Sequence, residues 1–371
     1  MTYFKIENKE PELVTIDYLA TFIIDSSPGV VNKIVQTINT LNASGYIAKQ
    51  SITPWGGFRN QFEFIKQLIR SQADVLILRN NSLMPLLFPI LVWKRLQGGK
   101  IIIDIPTPNT IVMHELRMRP ISPLAIAIRM GVLVTSFPWA LYPANKVLQY
   151  AHESAYFSFG IRRKSKLIAN GINVASIPLR SMIPPWPAEN FVMVAIAAMA
   201  PWHAFDRVIK GMANYLQSPS AHQKINLKLV IIGDGECRRS WEKLAEELGI
   251  SHCVEFAGFQ TGPALMPFFD QAHVAIASLG LFRKVLDMAS DLKSREYTAR
   301  GLPFIAAGVD IDFDPPPNFV FKVENADVPV DMEAVIEWYA SISKNKQLAA
   351  EVRQYAFERL DFSQKIPKLF S

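Results

Sequence analysis

What the chain has little of narrows its class first. Only two of its 371 residues are cysteine, Cys237 and Cys253, and no histidine pair stands beside them at ligand spacing. That usage is not a disulfide scaffold, and a reducing, cytosolic compartment is its simplest fit. Glycine (18) is scarcer than proline (25), and no low-complexity tract or fixed-period repeat occurs, which argues against collagen-like, linker and solenoid architectures. The opening MTYFKIENKEPE is polar and acidic where a secretory leader would be apolar, so no signal peptide is expected. Long apolar runs are also missing. MPLLFPILVW (Met84 to Trp93) is short of the roughly 20 residues that span a bilayer, and PLAIAIRMGVLVTSFPWALYP (Pro123 to Pro143) is broken by Arg129 and Pro138. No basic run interleaved with aromatics forms a recognisable nucleic-acid module, so nucleic acid is not an expected partner.

What is present describes an ordered chain with a large core, enough for one or two domains: half the residues are hydrophobic, 11% aromatic and 19% charged. The formal charge of +6 is unevenly divided. Residues 1–180 carry 20 Lys and Arg against 10 Asp and Glu, a net +10, while residues 181–371 carry 19 against 23, a net −4. The basic half should meet something anionic. The segment 123–143, with Arg117, Arg119 and Arg129 on one side and Phe137, Trp139 and Tyr142 on the other, reads equally well as a membrane-interface segment or as a buried helix pair.

From Phe191 onward apolar runs alternate with amphipathic segments: FVMVAIAAM, HAFDRVIKGMANYL, LKLVIIGDGE, WEKLAEELG, VEFAGF, AHVAIASLG, LKSREYTARG and LPFIAA. Short continuous apolar runs between helices predict parallel strands covered on both faces. The first half repeats the theme with VTIDYLATFII, YIAKQSI, ADVLILR and KIIIDIP. Two doubly wound α/β domains are therefore expected, at 1–180 and 181–345, facing each other across a cleft. A proline-rich join lies between Ile177 and Asn190, and a final helical segment, 346–371, is expected to pack back on the first domain.

Ligands of such sheets bind beyond the carboxyl ends of the strands. The residues there are Gly233-Asp234-Gly235, Gly258-Phe259, and Ser278 to Lys284, which includes Leu281, Arg283 and Lys284. Glycines let a backbone approach a ligand, although ordinary turn chemistry explains Gly-x-Gly as well. On its helix Glu296 shares a face with Leu292 and Ala299, so it is expected to look inward, or else to pair with Lys293 or Arg300. Asp310, Asp312 and Asp314 read as an acidic turn, and no metal is expected.

The order GDGE, AGF, SLGLFRK, LKSREYTARGLPFIAA resembles the donor-binding domain of glycosyltransferase family 4, retaining enzymes of the GT-B fold. PWHAFDRVIKGMANY resembles the opening of that domain in a polysaccharide-assembly branch, and SSPGVVNKI and IIIDIPTP resemble parts of the acceptor domain. The resemblance implies a retaining transferase that moves a sugar from a nucleotide-diphosphate sugar, with no cofactor beyond that donor, to a saccharide or lipid-linked saccharide. It also implies work at the cytoplasmic face of an anionic membrane. It places Glu296, and Lys293 beside it, at the donor nucleotide, and Gly29, Val30, Gly233, Gly235, Gly258, Phe259 and Leu281 around the donor. His203 and Arg207, four apart, would stand in for the usual lysine and arginine, with Arg283 and Lys284 at the diphosphate. His114 and Glu115 would meet the acceptor, His114 orienting or deprotonating its hydroxyl. The pattern departs at Met288, where the family has its first glutamate, and at Ala198, where it has an arginine. An epimerase or hydrolase of the same fold, or a partner subunit that binds nucleotide sugar without catalysis, therefore stays open.

Overall fold

Runs of Val, Ile and Leu leave no polar face for water, so the strands they form must be covered on both sides. The computed structural model describes residues 14–24, 28–118, 122–218 and 225–370. Ser26, Ser27 and Arg119, and the polar start of the chain, lie outside them.

The first unit comprises residues 1–172 and 362–371. It runs β1 (Thr15–Phe22), α1 (Pro28–Ala43), β2 (Ile47–Pro54), α2 (Phe58–Arg70), β3 (Val75–Arg79), α3 (Met84–Leu96), β4 (Lys100–Ile105), α4 (Asn109–Met118), α5 (Pro123–Ser136), β5 (Lys146–Gln149) and β6 (Ser165–Leu167). The strands are parallel in the order β2-β1-β3-β4-β5-β6. One face packs against α2, α3 and α5 through Phe64, Leu68, Leu87, Leu91 and Leu133. The other packs against α1 through Ile34, Ile38 and Leu41.

The second unit, 173–361, repeats the plan. Its elements are β7 (Asn190–Ile196), α6 (Asp206–Gln217), β8 (Asn226–Ile232), α7 (Arg238–Glu247), β9 (Val254–Gly258), α8 (Met266–Gln271), β10 (Val274–Ile276), α9 (Leu292–Ala299), β11 (Phe304–Ala307), β12 (Val320–Val323), α10 (Met332–Ile342) and α11 (Leu348–Tyr355). The order is β12-β11-β10-β7-β8-β9, again all parallel. The chain then re-enters the first unit as α12 (Phe362–Phe370), where Phe370 stacks on Tyr46 at 5.2 Å. The division at 172 differs from the expected 180, and the returning piece starts at 362 rather than 346. The reason is packing: α10 and α11 carry Tyr339, Leu348 and Val352 into the second core, while α12 carries Ile366, Leu369 and Phe370 into the first.

Two helices depart from simple expectation. α3 and α5, the apolar stretches, are neither wholly buried nor long enough to cross a membrane. No described helix is that long and apolar. Each buries one side, Met84, Leu87 and Leu91 in α3 and Leu133 in α5, and turns other apolar residues outward.

Candidate functional site

In the second sheet the strand order reverses between β7 and β10, so the loops at their carboxyl ends diverge and leave a crevice for a ligand. The loop after β7 carries a 3-10 turn at Pro201–His203, and the loop after β10 carries Ser278. The two loops are zipped together: Leu279 N donates to His203 O at 3.1 Å, and Gly280 N donates to Trp202 O at 3.1 Å. Asp291 caps α9, its Oδ1 accepting from Ser294 N at 2.9 Å, while its Oδ2 accepts from Ser278 N at 3.3 Å. One carboxylate thereby ties the helix start to the β10 loop.

Lys293, in the first turn of α9, is held between these groups. Its Nζ donates to His203 Nδ1 at 2.8 Å, and Ser278 Oγ stands 3.3 Å from the same nitrogen. An ammonium has only donors, so Nδ1 is the acceptor and His203 is neutral with its proton on Nε2. Burial, and then the Lys293 charge, push the imidazole down to about 2. Burial also lowers Lys293 to about 8, with Asp291 opposing. Lys284 lies over the Trp202 ring at 3.8 Å. The structure therefore gathers Lys293, His203 and Ser278, with the Lys284–Trp202 pair on the neighbouring loops, at the switch point of the sheet.

Other expected residues are engaged elsewhere. Arg207 does not act with His203 along one helix face, because Ala204 turns the chain into the left-handed region (φ 50°) between them. Its guanidinium, 1% exposed, instead donates to the carbonyls of Val328, Leu279 and Glu324 at 2.7, 2.5 and 2.9 Å. Arg283 is bidentate to Asp206 at 2.9 and 2.7 Å and meets Asp327 at 2.8 Å, so two carboxylates already balance its charge. Leu281 is buried and Phe259 is 77% exposed.

Gly233 and Gly235 hold the β7 and β8 loops together. Their φ values are +123° and +156°, and a Cβ on Gly233 would sit 2.0 Å from Ala197 O, one on Gly235 2.6 Å from Met199 O. Their close approach is to the chain's own backbone. Gly258 (φ +70°) has open space around it and accepts from Gly233 N at 2.7 Å.

The charges of α9 separate by role. Arg295 is fully buried and bonds both oxygens of Asp310, one of them at 2.8 Å, and Asp312 at 2.8 Å, so two acids of VDIDFD serve to pin the helix. Of the two residues expected on the face of Glu296, Ala299 is buried and Leu292 is 38% exposed; the buried residues of the helix are Ser294, Arg295, Tyr297, Thr298 and Ala299. Buried on that side, Arg295 is balanced by its two carboxylates and the Tyr297 ring packs against Phe269 and Phe304. Glu296 accepts at Oε1 from Arg300 Nε (3.0 Å) and Nη2 (2.7 Å), with its side chain 29% exposed.

In the first unit Gly29 is exposed and Val30 half-buried in the first turn of α1. Lys33, one turn on, donates to Tyr150 OH at 2.7 Å and is lowered to about 8 by burial. Beside it Asp104 Oδ2 accepts from Tyr18 OH at 2.5 Å and Arg79 at 3.3 Å. A cavity of about 40 Å³ adjoins Lys33, Asp104 and Tyr150. His114 and Glu115 lie half-buried in α4, whose start is capped by Glu153 at Asn109 and Thr110.

Sequence reasoning missed Asp291 and the Asp104 network. Their signals were present: an Asp three residues before Ser294 at a helix start, and a single acid inside the apolar run KIIIDI.

Residues 181–281 match the family model described as "Glycosyl transferases group 1". That span includes β7 to β10 and the loops carrying His203 and Ser278. No curated protein sequence matches the chain. Among solved structures, Anabaena Alr3699/HepE in complex with UDP and glucose is similar over 95% of this chain and 98% of that one, at 14% identity and a TM-score of 0.60. The apo form of the lipopolysaccharide outer core galactosyltransferase WaaB is similar over 96% and 98%, at 13% and 0.60. A glycosyltransferase from Rickettsia africae ESF-5 is similar over 96% of each chain, at 11% and 0.63. At such identities the likeness shows the fold: two Rossmann-like domains of the GT-B class.

Proposed function

We propose that this chain is a retaining hexosyltransferase that moves a sugar from a nucleotide-diphosphate sugar to a saccharide or lipid-linked saccharide. Its setting in this reading is cell-surface or extracellular polysaccharide synthesis on the cytoplasmic side of an anionic membrane. The observation that carries the reading is the Lys293–His203–Ser278 constellation at the carboxyl ends of β7 and β10. The glycosyl transferase match over the same loops and the UDP held by HepE support it.

In this reading the donor diphosphate lies against Lys293 and Lys284. As the glycosidic bond breaks, negative charge gathers on the leaving diphosphate, and cations already fixed in place stabilise it without reorganisation. His203 stays neutral, so its role is to aim the Lys293 ammonium rather than to carry charge. Those ammonium groups supply the positive charge, and no cofactor beyond the donor enters the proposal. Glu296, steadied at Oε1 by Arg300, offers its carboxylate to the ribose hydroxyls. His114 and Glu115 serve the acceptor.

Arg283, balanced by two carboxylates, and Met288, in place of a glutamate, favour one second reading: a partner subunit that binds the donor without transfer. Calorimetric titration with UDP separates the cases from error. Wild type should bind, and Lys293→Met and Glu296→Gln should bind at least tenfold more weakly. Equal affinity in all three proteins would remove the site. Labelled UDP-sugars with lipid-linked saccharides then tell transfer from binding alone, and turnover without acceptor would indicate a hydrolase or epimerase.

A further inference from the structure

The two faces of the first sheet are covered by helices that differ in what they show to solvent. Over one face, α1 and α12 expose no large apolar side chain among the described residues. Over the other, α5 turns out Leu124, Ile128 and Val132, at 71, 58 and 47% exposure and four residues apart. On the same side α3 turns out Leu86 and Trp93, and Phe159 is exposed in the segment that follows. Scattered apolar residues need no explanation, but stripes at helical spacing on neighbouring helices form a patch that marks a surface of contact.

The pieces are continuous. Phe88 of α3 meets Trp139, just beyond α5, with ring centroids 5.0 Å apart. Tyr156 OH donates to Val134 O of α5 at 2.6 Å, and Lys164 donates to Tyr142 O at 2.7 Å.

Charge identifies the partner. Residues 75–170 hold twelve Lys and Arg against three Asp and Glu. Two of those acids are committed elsewhere, Asp104 to Tyr18 and Arg79 and Glu153 to the start of α4. Arg95, Arg129, Arg162 and Arg163 are exposed on or beside the stripes, with no ion pair among the described residues. A second copy meeting this face about a two-fold axis would set arginines against arginines. An apolar stripe beside this excess of cations, with half-exposed Trp93, Trp139 and Tyr142, suits an anionic bilayer, whose headgroups take the arginines and whose acyl boundary takes the leucines.

We infer that the outer surface of α3, α5 and residues 139–164 is a docking face that inserts shallowly into an anionic membrane. It rests on and deepens the membrane contact proposed above by adding an apolar anchor at named positions. Vesicle binding needs no donor, so its failure and that of the transferase reading are separable.

The test uses vesicles of phosphatidylcholine, with or without one third phosphatidylglycerol, at low and high salt. Wild type should sediment with the anionic vesicles and show blue-shifted tryptophan emission. The variant Leu124→Ser/Ile128→Ser/Val132→Ser changes only exposed positions and should partition more than tenfold more weakly, since each methylene withdrawn from lipid costs roughly fourfold. Arg162→Ala/Arg163→Ala should weaken binding at low salt and match wild type at high salt. Indifference of wild type to anionic vesicles, or wild-type binding by the serine variant, would overturn the inference. So would a wild-type dimer that the serine variant dissociates in sedimentation equilibrium, because the face would then join two copies. UDP titration of the serine variant, expected to be unchanged, reports on the donor site independently.

Discussion

Replacing Lys293 by methionine should stabilise the fold while weakening the donor site. The folded protein holds this ammonium, half-buried, beside a neutral imidazole, and burial lowers it from its ordinary 10.5 to about 8. A fall of that size corresponds to roughly 3 kcal/mol against the charged form, which partial exposure screens to about half. The linkage sign is fixed by the direction. Between pH 8 and 10.5 the unfolded chain binds a proton that the native one has released, so wild-type stability should rise with pH through that window. Methionine removes the penalty at neutral pH but leaves His203 Nδ1 without its donor, a loss of about 1 kcal/mol that Ser278 Oγ, 3.3 Å away, partly restores. The expected balance is a gain of about 0.5 to 1.5 kcal/mol at pH 7 that shrinks above pH 9. Urea denaturation at both pH values measures it, followed in the same samples by UDP titration, where a lost charged contact of about 1.5 to 3 kcal/mol weakens affinity by tenfold or more. A methionine variant that is less stable at pH 7, or that binds UDP like wild type, would refute the reasoning.

Arg295→Met leaves Asp310 and Asp312 without their buried partner and should destabilise the second unit by about 3 to 5 kcal/mol in urea, with part regained on adding Asp312→Asn. Gly233→Ala drives a Cβ to 2.0 Å from Ala197 O at φ +123°, and should lower the melting temperature and UDP affinity together, by more than the 1 kcal/mol of an ordinary substitution. Burial lowers His273 to about 4 and His203 to about 2. Below pH 6.5 the unfolded chain takes up protons the native state refuses, so stability should fall with pH, by up to about 1.4 kcal/mol per unit for the fully buried His273. His273→Gln, followed by urea denaturation at pH 7 and 5, should flatten that slope.

The strands were plain in the sequence because a parallel strand covered on both faces admits only a continuous apolar run, as in LKLVII and KIIIDI. The helices between them followed from amphipathic spacing. The glycines after β8 were equally visible, yet their purpose was not: a Gly-x-Gly turn looks the same whether the backbone approaches a ligand or, as here, Ala197 and Met199.

The candidate site divides along the same line. That cationic and polar residues gather after β7 and β10 follows from residue order alone, since the carboxyl ends of strands in such a sheet share one edge. Which cations stay available there was decided by partners remote in sequence. Asp206 and Asp327 balance Arg283, and three carbonyls hold Arg207. Lys293, meanwhile, is turned onto His203, 90 residues away. A sequence specifies local periodicity because neighbouring side chains share a face. The charge that a given group presents depends on which groups the packed chain sets within about 4 Å of it, and only the tertiary structure determines that.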